Sequence, residues 1–439
     1  MRVRLHTLGC RLNEAELEAW AQGLAAQGHR LCGPQERADL VLVNTCAVTA
    51  EALRKSGQLL RRSRREDPDA RLVVSGCAVS LPGPPPGLVA AADLVVPNAD
   101  KDRLVAITMD RLGLAPGPLA VPGPDPGTGE TLFARSRQRA FVKVQDGCRH
   151  RCAYCIITLA RGDERSRPIP GLVAQVQGLV DVGIEEVVLT GVHLGGYGTD
   201  PSGQGLLGLV RALLDQTGIR RLRLGSLEPW DLAPGFWGLF ADPRLMPHLH
   251  LPIQSGSRAV LRRMTRRGGP RQFLDLAAAA RRAVPDINLT TDIIAGFPGE
   301  TEAEWGETLA MVREIGFGDI HAFPYSPRPG TRAAELPGQV PAEVRQARTL
   351  ELRHLALRLR RAALGRLVGR RVEVLVEGRE PVVGWLNGRL GYSPSYHPVR
   401  LCGEAGLDRP GRIRLVRLTG LDGEGEALEG TLDRDAGQG

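Results

Sequence analysis

The sequence predicts an α/β protein in three parts: an N-terminal open α/β sheet, a central partial (β/α) barrel and a C-terminal small antiparallel β-barrel. Three observations predict it. Over residues 1–112 short apolar runs alternate with helical periodicity, and the alternation resumes over the longer span from Phe133 to Leu367. Beyond Leu367 the helical pattern stops, and short runs separated by Gly or Pro take over. At about 150 residues per domain, 439 residues leave room for roughly three cores.

In residues 1–114 strands are expected at Val3 to Leu8, Leu40 to Asn44, Leu72 to Ser75 and Leu94 to Val96, with helices beginning at Glu14 and Ala50. The stretch Ala115 to Glu130 holds five prolines and four glycines in sixteen residues, too many breakers to pack, so 115–132 reads as a linker. Residues 133–367 carry six strand candidates: Phe141 to Val144, Glu186 to Leu189, Arg221 to Leu224, His248 to Leu251, Asn288 to Ile293 and His321 to Phe323. Helical patterns between most of them point to a parallel, barrel-like sheet, closed by an Arg/Leu-rich helix over Arg345 to Leu367. In residues 368–436 the runs Arg371 to Val376, Val382 to Leu386, Val399 to Cys402, Ile413 to Leu418 and Leu428 to Leu432 read as the small barrel. No internal repeat is visible.

Composition narrows the classes. Hydrophobic residues make up 42% and charged residues 24%, and no apolar run approaches the roughly 18 residues that span a bilayer. The first ten residues lack the apolar stretch and cleavage site of a secretory signal, so a cytoplasmic protein with no membrane partner is expected. The net charge of +8 is compatible with a polyanionic partner. Only three of the 57 cationic residues are lysine, an Arg-rich bias of the whole chain that weakens any argument from a single arginine.

Eight cysteines in such a chain point to metal binding or catalysis rather than to disulfides. Cys148, Cys152 and Cys155 fall within eight residues, directly after the first barrel strand, where barrel enzymes carry their chemistry. Three thiolates are one short of closing a [4Fe-4S] cube. The open iron can chelate the amino and carboxylate groups of S-adenosylmethionine, whose reductive cleavage yields a 5′-deoxyadenosyl radical. The same spacing also suits a zinc site completed by His150 or a distant histidine. Cys10, Cys46 and Cys77 each follow a predicted strand, so a parallel sheet brings them to one edge, where open α/β folds bind ligands. Three small buried hydrophobes would read the same way. Cys32 and Cys402 lack such placement and read as structural.

A set of ordered motifs over nearly the whole chain resembles the radical-SAM methylthiotransferases, which modify transfer RNA or a ribosomal protein. The N-terminal motifs are Thr7-Leu-Gly-Cys10-Arg-Leu-Asn13, Asn44-Thr-Cys46 and Ser75-Gly-Cys77. After Cys148 to Cys155 come Ile156-Ile157, Ala160-Arg-Gly162 and Arg165-Ser-Arg167-Pro168, then Leu189-Thr-Gly-Val192 with Tyr197-Gly198. Leu224 to Pro229, His250 to Gly256, Thr291 to Thr301 and Phe323 to Thr331 complete the set.

The resemblance implies two [4Fe-4S] clusters: a radical-generating one on Cys148, Cys152 and Cys155, and an auxiliary one on Cys10, Cys46 and Cys77. It implies that residues 368–436 are an RNA-binding TRAM module, and that the auxiliary cluster carries the sulfur, methylated with a further S-adenosylmethionine. TLGC followed by a basic residue, one position and Asn, with Cys46-Ala-Val-Thr49 and Lys55-Ser56, is most similar to the branch acting on C2 of N6-threonylcarbamoyladenosine beside the anticodon. The isopentenyladenosine branch and the branch acting on a ribosomal aspartate are the neighbouring readings, and a metal-bearing RNA-binding protein without catalysis is the reading from another class. Two departures stand out. Thr158 replaces a usual Pro, which predicts a looser turn after Cys155, and Ala78 replaces a common aromatic.

Other groups complete the expectation. Glu228, Gln254 and Asp292 fall at or near strand ends, where they would hold S-adenosylmethionine or simply cap strands. Tyr154, between ligands, packs on the cofactor or shields the cluster. Arg54, Arg61, Arg62 and Arg65, and Arg262, Arg263, Arg266 and Arg267, are candidates for a tRNA backbone or are solvated faces. Tyr392 and Tyr396 stack on bases or complete a core. The anticodon loop, largely single-stranded, would yield its adenosine for about a few kcal/mol. Radical chemistry also requires an electron donor, whose identity the sequence does not carry.

Overall fold

The structure is a computed structural model, and it describes residues 1–33, 36–115, 139–199, 205–377, 389–402 and 411–433. The predicted linker, apart from Ala115, lies outside the described residues, as does the predicted strand Val382 to Leu386. The chain forms two compact units. One gathers the described residues of Met1–Ser136, Asp146–Arg165 and Ser326–Ala334; the other holds those of Arg137–Gln145, Ser166–Tyr325 and Glu335–Gly439.

The first unit is built on a parallel sheet in the order Arg30–Leu31, Arg2–Thr7, Leu40–Thr45, Arg71–Gly76, Leu94–Val96. Leu-Val-Leu-Val-Asn-Thr and Arg-Leu-Val-Val-Ser-Gly are near-continuous apolar runs because both sheet faces are covered. On one face Leu40, Leu42 and Val73 pack with Leu17, Trp20 and Leu24 of the helix Arg11–Ala25. On the other, Val41, Val43, Leu72 and Val74 pack with Leu60 of the helix Ala50–Glu66. That second helix starts where Thr49 accepts a hydrogen bond from the Ala52 N–H. The strand order reverses between Arg2–Thr7 and Leu40–Thr45, and such a switch point opens a crevice at the carboxyl ends of the strands.

The second unit carries the six expected parallel strands, at Arg139–Lys143, Glu186–Thr190, Arg221–Leu224, His248–His250, Asn288–Ala295 and Asp319–Pro324. They form two three-stranded ladders joined by isolated parallel bridges at Leu222–Leu245 and Ser226–His250, a partial barrel. The long helix runs Ala342–Gly365. Beyond it, Arg371–Val376, Arg389–Tyr392, Pro398–Leu401, Ile413–Leu421 and Leu428–Leu432 close into a barrel around Val374, Val399, Val416 and Leu428. Four neighbouring pairs are antiparallel. Pro398–Leu401 and Leu428–Leu432 run parallel, which an odd number of strands requires when the circle closes.

Glu186 anchors this barrel to the central sheet. Fully buried, it faces Arg223 at 3.0 Å, Arg139 at 3.7 Å and Arg221 at 3.8 Å. Arg221 donates to the carbonyls of Tyr392 and Glu373, and Arg223 to that of Pro394. Tyr392 and Tyr396 stack at 5.1 Å under the Arg139 guanidinium, and Arg223 also lies over Tyr396. The two tyrosines therefore pack at this join. Among the described residues no helix is long and apolar enough to cross a membrane.

Candidate metal centres

All six cysteines singled out from sequence lie in the first unit. Cys46 and Cys77 follow directly on their strands and Cys10 comes three residues after its own, all on three adjacent strands, with Cys10 and Cys46 on either side of the switch point. Glycine leaves room at this edge. A Cβ at Gly9 (φ +103°) would sit 2.7 Å from Cys46 Sγ, and one at Gly76 (φ +105°) would sit 2.3 Å from the Thr45 carbonyl. Burial pushes the Cys46 thiol up to about 11, and the neighbouring sulfurs of Cys10 and Cys77 add to the rise. Asn98 Nδ2 reaches Cys77 Sγ at 3.7 Å and donates to the Ala160 carbonyl at 2.7 Å.

The second triad sits on one loop. Gly147 (φ +72°) starts it where a Cβ would lie 1.9 Å from the Asp163 carbonyl, and the Cys148 N–H donates to Gly162 O at 3.0 Å, closing the loop's base. The Cys155 N–H donates to Cys152 O at 3.0 Å. Burial pushes Cys148 up to about 12, with Cys155, Cys152 and Glu164 adding to it. Thr158 corrects the expectation of a looser turn, since its hydroxyl donates to the His150 carbonyl at 2.9 Å and ties the turn down. Ala78 is fully buried in the sheet core. Tyr154 is half-buried on the same loop.

A buried polar network joins the two triads. Arg161 donates to Glu16 Oε1 and Asp146 Oδ1 at 2.9 Å each and to Asn13 Oδ1 at 2.8 Å. Asn13 in turn donates to the carbonyls of Leu8 and Thr45, and Lys101 Nζ stands 2.5 Å from Glu16. One guanidinium thus holds the residue two before Cys148 and the helix turn that follows Cys10. In the sequence Asn13 and Arg161 stand only as motif letters, because burial and pairing leave no mark on a motif.

Two groups of three thiols, one at a sheet edge and one on a single loop, suit iron–sulfur clusters by their chemistry as soft sulfur donors. Cys32 is half-buried against the sheet core, and Cys402 is exposed.

In the second unit, strand ends carry charge. Asp292 accepts from His250 Nε2 at 3.2 Å and His321 Nδ1 at 3.1 Å. Burial works to raise its carboxyl, yet the two imidazoles hold it below the usual carboxylate range. The Gln254 N–H donates to Asp292 O from a left-handed backbone (φ 76°), a strained conformation in a non-glycine residue. Glu228 is paired with Arg266 at 2.5 Å, and burial pushes its carboxyl up against that pairing. His193 Nε2 stands 2.6 Å from Asp231. Arg266 therefore leaves the list of surface cations: it is buried between Glu228 and the Trp230 ring. Arg263 pairs with Glu304, Arg54 with Glu51 and Arg62 with Glu66, while Arg61, Arg65, Arg262 and Arg267 are exposed.

Known proteins resemble the chain over nearly its whole length. Residues 2–84 match the uncharacterized protein family UPF0004, and residues 142–312 match the radical SAM superfamily. The chain is 38% identical to tRNA-2-methylthio-N(6)-dimethylallyladenosine synthase of Cereibacter sphaeroides, over 95% of this chain and 96% of that one. It is 33% identical to threonylcarbamoyladenosine tRNA methylthiotransferase MtaB of Bacillus subtilis (95% and 93%), and 34% identical to its Thermotoga maritima namesake (96% and 95%). Among solved structures, the radical S-adenosylmethionine methyltransferase TsrM of Kitasatospora setae shares the fold, with a TM-score of 0.54 and 14% identity over 73% of this chain and 72% of that one. Two cysteine triads on this fold, with relatives alike over nearly their full length, place the chain in the family of radical-SAM tRNA methylthiotransferases.

Proposed function

We propose that this protein adds a methylthio group to C2 of N6-threonylcarbamoyladenosine next to the tRNA anticodon. In this reading Cys148, Cys152 and Cys155 ligate the radical-generating [4Fe-4S] cluster, and Cys10, Cys46 and Cys77 ligate the auxiliary one. When bound, the clusters and S-adenosylmethionine supply a hydrogen-abstracting radical and a sulfur atom, chemistry that no side chain offers at an unactivated C2–H bond. The protein's own residues position. Arg161 holds the loop of one triad to the helix that follows the first cysteine of the other. Glu228, Gln254 and Asp292 orient S-adenosylmethionine from the strand ends, and Tyr154 covers the cofactor. Arg61, Arg65, Arg262 and Arg267 are the exposed cations available to an RNA backbone.

The observation that carries the substrate branch is the run from Thr7 to Asn13, with Cys46-Ala-Val-Thr49 and Lys55-Ser56, which is most similar to the branch acting on N6-threonylcarbamoyladenosine. Relatives at 36–38% identity named for dimethylallyladenosine favour that base as the second reading. Reconstituted protein, reductant and S-adenosylmethionine, offered tRNA carrying one modification or the other, test the choice. The methylthio product is expected with threonylcarbamoyladenosine, and product only with dimethylallyladenosine would reverse the assignment.

A further inference from the structure

In the second unit a cavity of about 270 Å³ lies between the turn that follows Glu228 and the helix Pro270–Ala283. Trp230, Ile253, Leu261, Phe273 and Leu276 line it. The Arg266 guanidinium, paired with Glu228, stands 4.6 Å from the Trp230 ring centre. Gly268 (φ +72°) closes on the same ring, where a Cβ would sit 3.1 Å from Cε3. The indole is thus fixed in place. Yet its Nε1 is buried without a hydrogen-bond partner among the described residues, a cost that a bound acceptor would remove.

The rim carries further donors. Arg267 lines the cavity, is exposed and pairs with no carboxylate among the described residues. The helix starts at Gly269, which has no side chain to cap it, and its first turn holds no acidic residue. Pro270 has no N–H, and the Phe273 N–H already donates to Gly269 O, so the N–H groups of Arg271 and Gln272 stay open to an outside acceptor. An aromatic slot beside such donors suits a flat ring that carries an anion. At 270 Å³ it falls short of the roughly 300–1,000 Å³ of sites for drug-sized ligands, so it admits one ring system and not the substituted target adenosine.

We infer that this cavity takes one unpaired base of the tRNA anticodon loop, other than the adenosine that is modified, and that the phosphate of the same nucleotide meets Arg267 and the helix N-terminus. Unpaired bases are held in this way, stacked on aromatic rings with their edges hydrogen-bonded and their phosphates on cations. The inference rests on the reading that the anticodon loop is the substrate, whichever adenosine is modified. It gives the central barrel a hold on the loop through residues that take no part in the radical chemistry.

The test measures the affinity of full-length reconstituted protein for anticodon stem-loop RNA by fluorescence anisotropy. Loops with one base removed at each unpaired position in turn find the base that the cavity holds, and its loss should weaken binding about tenfold. Trp230→Leu should weaken the intact loop by a similar factor and add nothing with the loop that lacks that base, while Trp230→Phe should restore most of the affinity. Arg267→Met should weaken binding and lower the salt dependence by about one ion. Equal affinity of parent and Trp230→Leu for the intact loop overturns the inference. So does a loss in Trp230→Leu that is the same for every loop with a missing base. No binding of any loop by the parent protein would overturn the reading beneath it as well. Should Trp230→Leu fail to fold, Arg267→Met is read against loops with one phosphate at a time made a neutral methylphosphonate. Only the phosphate of the held nucleotide should then lose its effect, and effects shared by all phosphates overturn the inference.

Discussion

A thiol destined for a metal must lose its proton, and here burial opposes that loss. With Cys46 pushed up to about 11 and Cys148 up to about 12, both stay protonated at neutral pH unless a metal takes the proton's place. Cluster loading therefore releases protons and weakens as pH falls, by about tenfold per pH unit for each thiol proton displaced. Iron content after limiting reconstitution across a pH series should decline toward acid, and a flat profile would contradict the ligand assignment. The two triads should also separate by substitution. Replacing Cys148, Cys152 and Cys155 together with Ala should abolish S-adenosylmethionine cleavage. The same change at Cys10, Cys46 and Cys77 should spare some cleavage while stopping sulfur insertion, as product analysis would show; methylthio product from that variant would remove the auxiliary-cluster role.

At the scale of the element, the loop from Gly147 to Gly162 depends on one residue without a side chain. Gly147→Ala places a Cβ against the Asp163 backbone and forces the loop open, so iron should fall to about half while the N-terminal triad still loads. Full iron content in that variant would show that the loop tolerates the shift. Much at this scale was legible in the sequence, because short, near-continuous apolar runs between helical patterns mark buried parallel strands, and the six central strands fall where that pattern put them. The strand Arg389–Tyr392 escaped notice, for Arg-Leu-Gly-Tyr has no β-branched residue to mark it. Spacing and strand ends pointed to the six cysteines. The partners of Arg161 and Arg266 were not legible, since only the folded chain distinguishes a buried arginine from an exposed one in so Arg-rich a protein.

For the whole molecule, the buried carboxylate of Glu186 ties the central sheet to the C-terminal barrel alongside the Arg139–Glu377 and Arg412–Glu185 pairs. Burial works to raise Glu186, but Arg223, Arg139 and Arg221 hold it at about 2, below its ordinary 4.5. That depressed value contributes stability above about pH 4.5, and the contribution is lost as pH falls toward 2. Glu186→Gln should cost about 3–5 kcal/mol by leaving three buried arginines short of an anion. In thermal melts the gap between this variant and the parent should be wide at neutral pH and narrow in acid; a gap that ignores pH would contradict the charge argument. The central claim concerns what the assembled protein does to tRNA. Mass spectrometry of tRNA nucleosides from a strain lacking the gene, and from the complemented strain, tests it most directly. Loss of the methylthio form with threonylcarbamoyladenosine retained, restored on complementation, is the predicted result; an unchanged profile of that nucleoside would contradict it.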